Sequence, residues 1–192
     1  MWIYTILFNQ LKNYYIYYTI LNVVKFVTFS VKGEKMSKEL VKDRVIKYFI
    51  EDLLVPQEMI DTNVELSEFE EGAEGIIDIV VNVVDEDDFY VPVLICQCLD
   101  EDIPLEGDIL EKQIDFLEEV DNITTSGRLV LTNGDEMMYA DWKGEEYDTE
   151  SALPNYETMV KEFKESEKLA LELEKEHGHD HENCDCCDHD HQ

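Results

Sequence analysis

The sequence predicts an α/β fold closed by a C-terminal helix, and three observations carry that reading. Residues 76–84, IIDIVVNVV, form a dense β-branched run of the kind that fills a central strand. Two further apolar runs, YVPVLICQCL and GRLVLTNG, lead into acidic or glycine turns as strands do. Stretches with helical spacing of apolar residues stand before, between and after these runs.

Taken in order, Ser37 can cap a first helix whose apolar stripe is Leu40, Val41, Val45, Ile46, Phe49, Ile50 and Leu53, and Pro56 closes it. NVELSEF (63–69) alternates as a strand, and EEGAEG supplies the turn into the strand 76–84. DEDD turns the chain into the next strand, YVPVLICQCL. Gly107 precedes a second helix, DILEKQIDFLEEV, with Ile109, Leu110, Ile114, Phe116 and Leu117 turned inward. GRLVLTNG (127–134) is a buried strand ending in a glycine turn, and MMYADW (137–142) is a short strand after it. A last helix, rich in Glu and Lys, begins near Asn155 after Pro154 and runs to about Glu176, with Met159, Phe163 and Leu169 spaced along it. The order is α-β-β-β-α-β-β-α, and no internal repeat interrupts it. Residues 36–154 read as the domain, 155–176 as a charged helix and 177–192 as a tail.

The chain of 192 residues holds 46 acidic and 15 basic side chains, a formal net charge of −31. The first 35 residues carry four lysines against one glutamate, so −34 falls on Met36 to Gln192. Such a surface repels phosphates and anionic headgroups, which disfavours direct binding of nucleic acid or membrane. Basic proteins and metal cations are the partners it suits. Of the five cysteines, Cys96 and Cys98 lie in a strand and Cys184, Cys186 and Cys187 in the tail, which is no disulfide framework and fits a reducing cytoplasm.

Residues 1–35 are apolar and aromatic. Lys12 and Lys25 leave 12 uncharged positions between them, too few for a membrane span of about 20 residues. No Ala-x-Ala pattern offers a signal cleavage site. The preferred reading is a start codon placed too early, with Gly33-Glu34-Lys35 as translated ribosome-binding sequence before Met36. No membrane association is expected unless this leader is retained.

Four local features go together: Asp78 within IIDIVV, the strand-to-loop run PVLICQCLDEDIPL, Gln113 on the following helix, and VLTNG at 130–134. With the element order, they make residues 40–155 resemble the N-terminal domain of the restriction subunit of type I restriction enzymes, a PD-(D/E)xK nuclease-like fold. The resemblance implies an αβββαβ core with a mixed central sheet. It also implies a site in which Asp and the Glu of Glu-x-Lys hold a divalent metal while the Lys helps position water, because paired carboxylates orient Mg²⁺ and lower the pKa of its water.

Only Asp78 is matched. Gln97 stands at the Glu position and Leu99 at the Lys position; Ile76 replaces an arginine often found before the Asp, and Leu117 a tyrosine four residues after Gln113. The replaced positions argue against Mg²⁺ at Asp78 and against catalysis. A rescue would draw a carboxylate from Glu65, Asp100 or Glu101 and a cation from Lys112. Without one, Asp78 is expected to be a vestigial, buried carboxylate satisfied by backbone amides, with Cys96 and Cys98 as core fillers.

The tail HGHDHENCDCCDHDHQ places His177, His179, His181, His189 and His191 beside Cys184, Cys186 and Cys187, with carboxylates between them. Imidazole and thiolate suit Zn²⁺, Ni²⁺ or copper, and the spacing is not that of a zinc finger. The expectation is a transition-metal-binding tail on a non-catalytic binding or regulatory module. The rivals are a divergent Mg²⁺-dependent nuclease with migrated residues, and an acidic DNA mimic that occupies a basic protein.

Overall fold

The computed structural model describes residues 36–143, 147–148 and 152–177. Its elements are α1 (Lys38–Glu51), β1 (Ile60–Glu65), β2 (Ile76–Val84), β3 (Tyr90–Cys98), α2 (Gly107–Thr124), β4 (Arg128–Thr132), β5 (Met137–Trp142), β6 (Tyr147–Asp148) and α3 (Tyr156–His177), with short 3-10 turns at Gln57–Met59 and Leu66–Glu68. The class is α/β, and the sheet is mixed. Among the described residues its six strands lie in sequence order; β3 and β4 run parallel and every other neighbour is antiparallel. A parallel pair needs a crossover, and α2 provides it.

Helices cover both faces of the sheet. Ile114, Leu117 and Val120 of α2 pack with Val80, Ile95, Leu129 and Leu131 on one side. On the other, Val41, Val45 and Phe49 of α1 and Met159 of α3 pack with Ile79, Val81, Leu94, Cys96, Cys98 and Val130. Coverage from both sides explains why β2 to β4 read as nearly continuous apolar runs. Among the described residues no helix is long and apolar enough to cross a membrane. Residues 1–35 lie outside the described residues.

Several expectations are corrected. The first strand is Ile60–Glu65 rather than 63–69, because Leu66 leaves the ladder for a 3-10 turn and is buried there. Leu40 and Ile109, placed on inward stripes, are 53% and 40% exposed, and Leu169 is 58% exposed. Each lies on the outer side of its helix or past the reach of the sheet. Ser37 occupies the N-cap position of α1 without a side-chain cap. That end is held instead from across the fold: Asp100 Oδ1 accepts the Lys38 N–H at 2.6 Å, and Glu101 Oε2 accepts the Met36 N–H at 2.6 Å.

Candidate functional site

β2 and β3 pair from Val84↔Tyr90 down to Ile79↔Cys96, and there the backbone ladder between them ends. Side chains take over beyond that point. Gln97 Oε1 accepts the Asp78 N–H at 3.2 Å while its Nε2 donates to the Ile76 carbonyl at 3.3 Å. In the opposite direction, Asp78 Oδ2 accepts the Cys98 N–H at 2.8 Å. Buried backbone groups require partners, and here an amide and a carboxylate stand in for the missing strand contacts. On the far side of β2 the register runs Thr62↔Ile79 and Val64↔Ile77, so Asn63, with a left-handed φ of 55°, sits at an irregular position level with Asp78. Ile77 packs on the α2 side of the sheet and Ile79 on the α1 side, so the alternation of β2 breaks at Asp78.

Asp78 is 2% exposed, and the Lys38 ammonium lies 2.9 Å from its Oδ1. One turn further along α1, buried Lys42 donates to Asn63 Oδ1 at 2.7 Å and to Glu39 Oε1 at 3.0 Å. Both cations come from α1, which the sequence reading passed over. A signal was present: Lys38 and Lys42 fall on the same helical stripe as Val41, Val45 and Phe49. Lysines on an apolar stripe should have buried partners.

The sequence-derived candidates therefore divide. Asp78, Gln97 and the backbone of Cys98 form one connected group. Leu99 is half-buried and packs into the α2-side core, as a hydrocarbon at that place should. Lys112 is exposed on α2, and the cation that reaches Asp78 comes from Lys38 instead. Asp100 caps the first N–H of α1, and Glu101 holds the Met36 N–H just before the helix. Glu65 is exposed and closes a capping box with Glu68 at the Leu66 turn. Gln113 is half-buried with its Oε1 enclosed and without a partner among the described residues. Ile76 is exposed, and Leu117 is core.

Cys96 and Cys98 are fully buried with their sulfurs 4.0 Å apart. Burial first, then the hydrogen bond and charge of Cys98, push the Cys96 thiol well above its ordinary value. A thiol kept protonated in an apolar setting is a poor nucleophile and a poor metal ligand.

A second polar cluster, unforeseen from the sequence, ties α3 to the far side of the sheet. Arg128 of β4 pairs with Asp141 of β5 and with Glu162 of α3, while Lys143 and the Tyr139 hydroxyl also hold Asp141. Arg128 Nε approaches Asp141 at 3.4 Å without hydrogen-bonding geometry, so that contact is an ion pair only. Burial and the neighbouring Asp141 carboxylate raise the Tyr139 hydroxyl far above its usual range. Every carboxylate here answers a cation or a hydroxyl, the pattern of a structural fastening.

Among the described residues no group of three or more His, Cys, Asp or Glu side chains could hold a metal ion. His177 ends α3, but its side chain, with His179, His181, Cys184, Cys186, Cys187, His189 and His191, lies outside the described residues. In comparisons with known proteins, no family model, no curated protein and no solved structure matches the chain.

Proposed function

We propose that this protein is a non-catalytic, restriction-endonuclease-like domain that works in the cytoplasm as a binding or regulatory module and carries a transition-metal-binding tail. One observation carries the first half: both oxygens of Asp78 are engaged, one by the Lys38 ammonium and one by the Cys98 N–H, while the Gln97 amide is spent on the backbone of β2. Metal-assisted hydrolysis needs carboxylate oxygens directed at a cation, with water held beside it. Here the carboxylate is neutralised internally and its neighbour carries no charge. The surface charge supports the same reading, since −31 overall works against the approach of a scissile phosphate.

A plasmid-nicking assay in Mg²⁺ or Mn²⁺ tests this half, and no cleavage above a metal-free control is expected. Nicking that vanishes in Asp78→Ala and in Lys38→Ala would establish the divergent nuclease instead.

The tail reading rests on eight imidazole and thiol donors within residues 177–192, interleaved with carboxylates that raise local cation concentration. Calorimetric titration of Ni²⁺ or Zn²⁺ is expected to give binding on the order of micromolar or tighter, lost on truncation after Glu176. Equal affinity in the truncated chain would move the metal site elsewhere.

A further inference from the structure

The turn joining β2 to β3 carries four consecutive acids, Asp85 to Asp88, followed by Phe89 and Tyr90. Both rings stand in solvent, 67% and 59% exposed. The turn is firmly built. Asp85 Oδ1 accepts the N–H groups of Asp87 at 2.9 Å and Phe89 at 2.8 Å, and the Asp85 N–H meets the Phe89 carbonyl at 3.0 Å. Asp88 takes the left-handed φ of 65° that completes the reversal. The two rings are thus held on a fixed backbone, which lowers the ordering cost of anything that docks on them.

α3 adds to the same surface. Glu167 is close enough to the turn that, after its partial desolvation, Asp85, Glu86 and Asp87 raise its carboxyl above the ordinary value. At the start of α3, Tyr156 is near Tyr90 and Glu58, and its hydroxyl donates to the Asn82 carbonyl at 3.1 Å. Phe89 and Tyr90 are therefore exposed next to the four acids of the hairpin, on an end of the sheet where α3 begins. Among the described residues, Lys164 is the cation that acts on Glu167 against them.

Charge complementarity selects the occupant. A phosphate backbone or an anionic lipid is repelled. A second copy of the chain would bring −31 against −31. A bare metal ion makes no use of the rings. A guanidinium uses both parts of the surface, because its plane stacks on an aromatic face while its edge pairs with carboxylates. Aromatic anchors with a charged rim are also how protein interfaces concentrate their binding energy. We propose that the β2–β3 hairpin tip and the adjoining face of α3 form a docking surface for an arginine-rich segment of a partner protein. This deepens the binding-module reading and rests on it.

The test uses the full chain and a fluorescein-labelled octa-arginine peptide, followed by anisotropy at about 50 and 200 mM NaCl. Phe89→Ser/Tyr90→Ser and, separately, Glu86→Gln/Asp87→Asn/Asp88→Asn are each expected to weaken binding about tenfold. Glu70→Gln/Glu71→Gln/Glu74→Gln removes the same charge at the opposite end of β2, and less than about a threefold change is expected. An octa-lysine peptide should bind more weakly than octa-arginine, since ammonium does not stack as guanidinium does. Absence of binding by the wild-type chain would overturn the proposal. So would equal losses from the two acid triples with none from the aromatic pair, which is the signature of undirected charge attraction. The substituted side chains are exposed, and the acid triple retains Asp85, so the hairpin keeps its turn bonds. Because nicking is measured separately, failure here would leave the non-catalytic reading standing.

Discussion

At the scale of single residues, Gln97 shows what a side chain must supply where two strands part. A side chain placed where the β2–β3 ladder stops must both accept from the Asp78 N–H and donate to the Ile76 carbonyl. An amide does both; a carboxylate only accepts. Gln97→Glu therefore leaves the Ile76 carbonyl unpaired and sets a second buried anion beside Asp78, so a loss of about 2–3 kcal/mol at pH 7 is expected by urea denaturation. The pH dependence has a definite sign. A carboxyl in that position has its folded pKa raised above the unfolded value, so its penalty is absent below the unfolded pKa and grows as pH rises through the interval between them. At pH 4 the protonated acid can donate to Ile76, and the gap from wild type should narrow. Equal stability of the two chains at pH 7 would mean that the Gln97 amide is not holding the strands. That Gln97 and Leu99 are uncharged residues at the end of an apolar strand is legible in the sequence; that Gln97 bridges two strand backbones is not, because its partners lie 19 and 21 residues away.

Between residue and whole molecule, the elements divide by how local their causes are. β2 spans Ile76–Val84 and β5 spans Met137–Trp142, the same residues the apolar runs predict, because strand and run coincide when both faces are covered. β1 is displaced from its expected span since its burial is only partial, and Leu66, the apolar residue that suggested continuation, turns into the core through a 3-10 turn instead. α1 begins where predicted but for a different reason. Its first N–H, that of Lys38, is satisfied by Asp100, 62 residues away, so no local capping rule could identify the partner. The same limit hid Lys38. Its stripe position is readable, but its counter-ion, Asp78, belongs to another element. For α3, periodicity describes the apolar face without showing where the sheet beneath it ends; Met159 is buried, whereas Leu169 lies past the covered region.

Over the whole molecule, electrostatics act at two ranges that oppose each other, and salt separates them. Short-range pairs are buried or partly buried: Asp78 and Asp141 are each 2% exposed, and their cations lie against them. Such pairs are little affected by ionic strength. The long-range term is the mutual repulsion of a surface at −31, most of it exposed carboxylate. Folding draws these charges together, so repulsion destabilises the compact state, and screening relieves it. The exposed i,i+4 pairs Lys47–Glu51, Lys161–Glu165 and Lys168–Glu172 are also weakened by salt, but each contributes only about 0.3–0.5 kcal/mol. With an acid excess of this size the repulsive term wins. Thermal unfolding followed by circular dichroism is therefore expected to show Tm rising by roughly 3 °C or more as NaCl is raised from low to near-physiological ionic strength, the shift that about 1 kcal/mol produces in a domain of this size. Truncation after Glu176 removes five carboxylates with the tail and should reduce the salt sensitivity while keeping its sign. A Tm that falls with added NaCl would show that the exposed pairs, rather than the net charge, govern the stability of the fold.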